Sequence, residues 1–142
     1  MRQLQTTEIK DKSGIEHTYS LIPYDAEYGV TLAIEIADIL GDGLGKLFLG
    51  ISGKSDDTDA TPYTMLEFAR DEITKVPAKL AAKGGASFLK KILNGVKREK
   101  TPKAADFIDV PKFFDDIYAA NYKELLSAIW WVIDCNYGPF FD

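Results

Sequence analysis

The residue types that perform nucleophilic, acid–base or metal chemistry are scarce in this chain. It has one histidine, His17, and one cysteine, Cys135, among scattered carboxylates. A lone thiol closes no internal disulfide, and one histidine without a second such ligand builds no metal cage. Pairing Cys135 with His17 as nucleophile and base would rest on one residue of each kind, with no third group marked to orient them. The glycine-bearing stretches fail on spacing. Gly53-Lys54-Ser55 is like the end of a phosphate-binding loop, but the glycine that should open that loop falls at Phe48, and the acidic run after Ser55 starts no helix. Gly41-Asp42-Gly43-Leu44-Gly45 has the wrong spacing for a dinucleotide fingerprint and reads as a helix stop. Asp57-Thr58-Asp59 opens like a calcium loop, yet its obligatory glycine position is Pro62. The sequence therefore predicts no catalytic residue, no metal and no cofactor. What it offers instead is surface for recognition.

A chain of 142 residues with 46% apolar and 27% charged residues is expected to form one globular domain with a real core rather than a disordered segment. No apolar run approaches the roughly 18 to 20 residues that cross a bilayer. Met1 to Thr7 lacks the apolar core of a secretion signal, so the expectation is a cytosolic protein with no membrane partner. A net charge of −5 argues against nucleic acid as the main partner. The cations nevertheless gather between Arg70 and Lys103, where Lys79, Lys83, Lys90, Lys91, Lys97 and Arg98 outnumber Asp71, Glu72 and Glu99. Two readings stand: solvated helix faces complementing acidic flanks, or a basic surface for an acidic partner.

The elements that must position such surfaces follow from pattern. Residues 1–22 read as a β-hairpin, with His17 on the apolar face shared by Ile15, Tyr19 and Leu21 and a polar turn ending at Gly14. Residues 25–53 read as an apolar helix, capped by Asp25 and stopped by Gly41, followed by a glycine-rich segment. Its polar strip, Glu27, Thr31, Glu35 and Asp38, is narrow, so the helix is packed on more than one side or offers a face to something else. A flexible loop is expected at 54–61 and basic helices at 62–97, broken at Gly84-Gly85. A charged connector is expected at 98–110, then a C-terminal helical pair with an aromatic end at 111–142. The fold class is α+β, mostly helical: an N-terminal hairpin followed by five or six helices in a single domain.

The last helix, opening at Asn121 with Glu124 at the capping-box position, carries the heaviest aromatic load. On a helical wheel Tyr122, Leu126, Ile129, Trp130, Ile133 and Tyr137 share one apolar face, flanked by Leu125 and Val132. Lys123, Glu124, Ser127 and Asp134 hold the other side, with Trp131 among them. Trp130 is thus expected in the core. Trp131 either packs under the loop or hairpin or stands out as an aromatic anchor for a partner. Gly138 and Pro139 end the helix, and Phe140 and Phe141 either fold back on the core or meet another chain.

The segment Phe114-Asp115-Asp116-Ile117-Tyr118-Ala119-Ala120-Asn121-Tyr122, followed by a helix ending Asn136-Tyr137-Gly138-Pro139-Phe140-Phe141, resembles the C-terminal signature of tail assembly chaperones of long-tailed bacteriophages. The front is similar too, with its hairpin, Leu21-Ile22-Pro23 and the basic run Phe88-Leu89-Lys90-Lys91-Ile92-Leu93. Tyr137 where phenylalanine is usual, Pro139 inside the terminal motif and the glycine-rich segment from Gly41 to Gly53 depart from the family pattern. The resemblance implies a non-enzymatic protein of the host cytoplasm that binds the tape measure protein during tail assembly and is absent from the finished virion. It also implies tail tube protein as a second partner where a frameshift lengthens the chain. Self-association is left open. The alternative is a structural tail subunit, a completion or connector protein retained in the particle. The candidate partner-binding residues are Trp131, Phe113, Phe114, Tyr118, Tyr122, Phe140, Phe141, Lys90 and Lys91.

Overall fold

Alternating apolar and polar residues make β1 (Gln5–Lys10) and β2 (Glu16–Leu21) an antiparallel hairpin, with His17, Tyr19 and Leu21 buried on one face. Asp11 shapes the turn: its Oδ1 accepts from the backbone N–H of Ser13 at 2.8 Å and of Ile15 at 3.0 Å. Its Oδ2 lies 2.8 Å from His17 Nε2, and this bond is the chief reason the Asp11 carboxyl is held below its ordinary value. The other ring nitrogen of His17 is buried with no hydrogen-bond partner among the described residues.

The computed structural model describes residues 3–41, 76–101 and 105–138. Within them the hairpin is half of a four-stranded antiparallel sheet of order β1-β2-β3-β4. β3 (Val96–Glu99) pairs with β2, Tyr19 opposite Arg98, and β4 (Phe107–Asp109) pairs with β3, Ile108 opposite Arg98. This corrects the connector expected at 98–110, and it moves Val96 from a helix to a strand. The inward residue of β3 after Val96 is an arginine, so no apolar alternation announces the strand.

Four helices stand among the described residues, short of the five or six expected: α1 (Ala26–Leu40), α2 (Val76–Ile92), α3 (Phe114–Tyr118) and α4 (Tyr122–Tyr137). Asp25 caps α1 through a 2.8 Å bond from the Tyr28 N–H, and Gly41, at φ +87°, ends it. α2 is bent at Gly85, whose φ of +71° and ψ of −178° interrupt the helix where the Gly84-Gly85 break was expected. The glycine-rich stretch after Gly41, the helical stripe from Met65 to Ile73 and the Phe140-Phe141 ending lie outside the described residues.

The core joins Leu32, Ile36 and Leu40 of α1 and Leu80, Phe88 and Ile92 of α2 to Ile129, Val132 and Ile133 of α4 and to the inward face of the sheet. α2 touches both α1 and α4, and α4 also touches β1. Three tyrosines tie the far ends together. Tyr137 donates to the Gly29 carbonyl at 2.8 Å, Tyr28 to the Lys91 carbonyl at 2.6 Å, and Tyr24 to the Ile92 carbonyl. Burial pushes all three hydroxyls up, so they stay protonated and serve as donors. The hydroxyl that sets Tyr137 apart from the usual phenylalanine therefore has a partner.

Candidate functional site

The two faces of α4 are built on different principles. The inward face opens on a carboxylate. Glu124 is fully buried, and it gathers Arg98 Nε at 2.8 Å, Asn121 Nδ2 at 2.7 Å and the Tyr19 hydroxyl. Tyr118 stands 3.1 Å from the Tyr19 oxygen; with the Tyr19 proton committed to Glu124, Tyr118 is the donor of that pair. Burial holds both phenols well above their ordinary value, so each keeps its proton. Asn121 also accepts from the Lys12 N–H at 3.0 Å, which fastens the hairpin turn to the start of α4. Every polar group in this knot has a partner, the condition under which a buried ion pair is tolerated.

Trp131 lies half-buried over the knot, edge-on to Tyr19 with centroids 6.2 Å apart and planes at 75°. It belongs with the hairpin, the first of the two placements expected for it. Trp130, expected in the core, does not sit there. The buried face of α4 is Glu124, Leu125, Ala128, Ile129, Val132, Ile133 and Tyr137; it keeps Ile129, Ile133 and Tyr137 of the expected face, but its centre is turned by roughly one residue. The reason is Glu124: a wheel that sends every charge outward cannot place a buried carboxylate.

The outward face carries the candidate site. Tyr122, Leu126 and Trp130 recur at i, i+4 and i+8, forming one stripe. With Lys123 and Ser127 of α4 and Pro77 and Ala78 from the start of α2, they line an open groove of about 540 Å³. Tyr122 is 68% exposed, whereas Leu126 and Trp130 are half-buried. A second apolar pair, Val30 and Ile34, is exposed on α1, so that helix does present a face beyond its core side.

The residues expected to meet a partner are thus divided. Tyr122 is in the groove. Phe114 and Tyr118 are buried in the core, where Phe114 stacks edge-on to Tyr118 at 5.3 Å, and Phe113 is half-buried beside them. Lys90 is exposed with its Nζ 5.4 Å from the Phe114 ring centre, and Lys91 is exposed 3.5 Å from Glu35. Phe140 and Phe141 lie outside the described residues. Leu126 and Trp130, half-buried along the groove, are the partner-surface candidates missing from the sequence reading, and the i, i+4, i+8 spacing was the available signal. Burial, and after it the Asp134 charge, pushes the Cys135 thiol up, away from the reactive thiolate. Among the described residues no cluster of His, Cys, Asp and Glu could hold a metal ion.

A closed, internally bonded core thus carries an open aromatic stripe on one of its helices. The family model described as phage tail assembly chaperone protein, TAC, matches residues 14–142, and the chain belongs to that family. No curated protein and no solved structure matches the chain.

Proposed function

We propose that this tail assembly chaperone acts without catalysis, binding the tape measure protein in the host cytoplasm and keeping it soluble until the tail tube forms. The observation that carries the reading is the groove. Tyr122, Leu126 and Trp130 are left at the surface by a chain that closes its interior elsewhere with a complete hydrogen-bonded knot. An apolar stripe of this kind suits an amphipathic helix laid along it, with Trp130 as the anchor. A long helical client is prone to aggregate through such stripes, and covering them is what keeps it in solution.

Co-expression of the chain with the tape measure protein of its own phage tests this. The client is expected in the soluble fraction and co-purified with the chain; Trp130→Ala should return it to the pellet while the variant itself stays folded. Purified virions should lack the chain. Its presence there at stoichiometric level would favour the structural tail subunit instead.

A further inference from the structure

The outward stripe of α4 is flanked along the helix by charges of opposite sign. Lys123 lines one end beside Tyr122. Asp134 lies one turn beyond Trp130, and both charged residues are exposed. They are separated by three helical turns, so they fall on one edge of α4 about 16 Å apart. Glu124, next to Lys123 in sequence, points inward and is neutralised by Arg98, so it does not cancel the lysine at the surface. The first turn of α2, whose Pro77 and Ala78 form the opposite wall, carries no acid, and its one charged residue, Lys79, adds to the positive charge on the Lys123 side. The floor between the charges is apolar.

We propose that the groove selects an amphipathic helix bearing a carboxylate and a basic side chain about three turns apart, astride its apolar stripe. The carboxylate sits over Lys123 and the cation over Asp134. This deepens the chaperone reading, on which it rests, by stating which client segment the groove takes. Two residues eleven apart in a helix share one face, so a single helix satisfies both ends and the apolar stripe together. Rim charges of this kind set register and choice of partner more than raw affinity.

The test uses the full chain with Trp131→Phe, which leaves Trp130 as its one tryptophan. The probes are three synthetic helical peptides sharing an apolar stripe: one with Glu and Lys eleven residues apart, one with two Glu and one with two Lys. The mixed peptide should shift Trp130 emission to the blue and bind about three- to tenfold tighter than the two-Lys peptide. Adding Lys123→Glu should invert that order, because both ends of the groove are then acidic. The same order in both proteins overturns the proposal, as does binding that leaves Trp130 emission unmoved. So does a dimer of the free chain that Leu126→Asp abolishes, since the groove would then be filled by a second copy. None of the peptides comes from a phage, so these outcomes are separate from the co-expression and virion results that decide the chaperone reading.

Discussion

The inward and outward faces of α4 spend aromatic and charged residues in opposite ways. Inward, Tyr19, Tyr118, Arg98 and Asn121 converge on Glu124, and no member of the knot is left without a hydrogen bond. Outward, Tyr122, Leu126 and Trp130 are arranged as regularly, yet nothing among the described residues closes over them. The difference teaches that an aromatic-rich helix is not uniform in purpose. One face fixes the sheet to the helix, and the other is left open among the described residues.

The comparison breaks most visibly at Glu124. Glu124→Ala strands Arg98 in the core and should lower unfolding free energy by about 3–5 kcal/mol, read from denaturant melts. Replacing both partners, Arg98→Met with Glu124→Leu, should restore most of it, because the desolvated charges go together. A loss under about 1 kcal/mol for the single change would mean that the knot does not hold the sheet to α4. The adjacent tryptophans come next. Trp131→Ala should cost about 1–3 kcal/mol by removing the contact with Tyr19. Trp130→Ala should cost under about 1 kcal/mol in stability and on the order of tenfold or more in client affinity. Equal effects on both measurements would erase the distinction between the faces.

The smallest effect sharpens the contrast between the buried charges and those on the outer face of the sheet. There Glu8 hydrogen-bonds to Glu16, and this bond, with their mutual repulsion, raises the Glu8 carboxyl above its ordinary value of 4.5. Ionising it is therefore harder folded than unfolded, so stability is lost as pH rises from 4.5 through the raised value. Asp11 runs the other way. Its carboxyl is depressed, so its contribution is present above 3.8 and lost as pH falls below it. Glu8→Gln should raise the melting temperature slightly at pH 7 and flatten its decline between pH 4.5 and 7. An unchanged pH profile would show that the two carboxylates do not interact.

Much of the fold is legible in the sequence because its signals are local. The Gly14 turn, the Asp25 cap, the Gly41 stop and the Gly84-Gly85 break all lie where their residue types require. Two of the misreadings share one cause. Arg98 hides β3, because the strand looks like a charged connector when its inward residue is a cation. Glu124 hides the true face of α4, because the wheel sends a carboxylate to solvent and so exchanges the positions of Trp130 and Trp131. Arg98 and Glu124 are partners, 2.8 Å apart. Each charge makes sense only when the other is placed, and pattern reading handles one segment at a time. The groove was half visible for the same reason: Tyr122 was expected at a partner surface, while Leu126 and Trp130 were assigned to the core.

The bond from Tyr19 to Glu124 joins residues 105 positions apart. A ribosome adding roughly 5–20 residues per second leaves about 5–20 s between the two. Through most of that interval the first hairpin has been made but its partner strand β3 has not, and the acceptor for its phenol comes later still. The inward face of β2 must wait, exposed, for the last part of the described chain. Dependence on such distant contacts also slows folding once synthesis is complete. This member of a chaperone family thus passes, during its own synthesis, through a period in which apolar surface is uncovered.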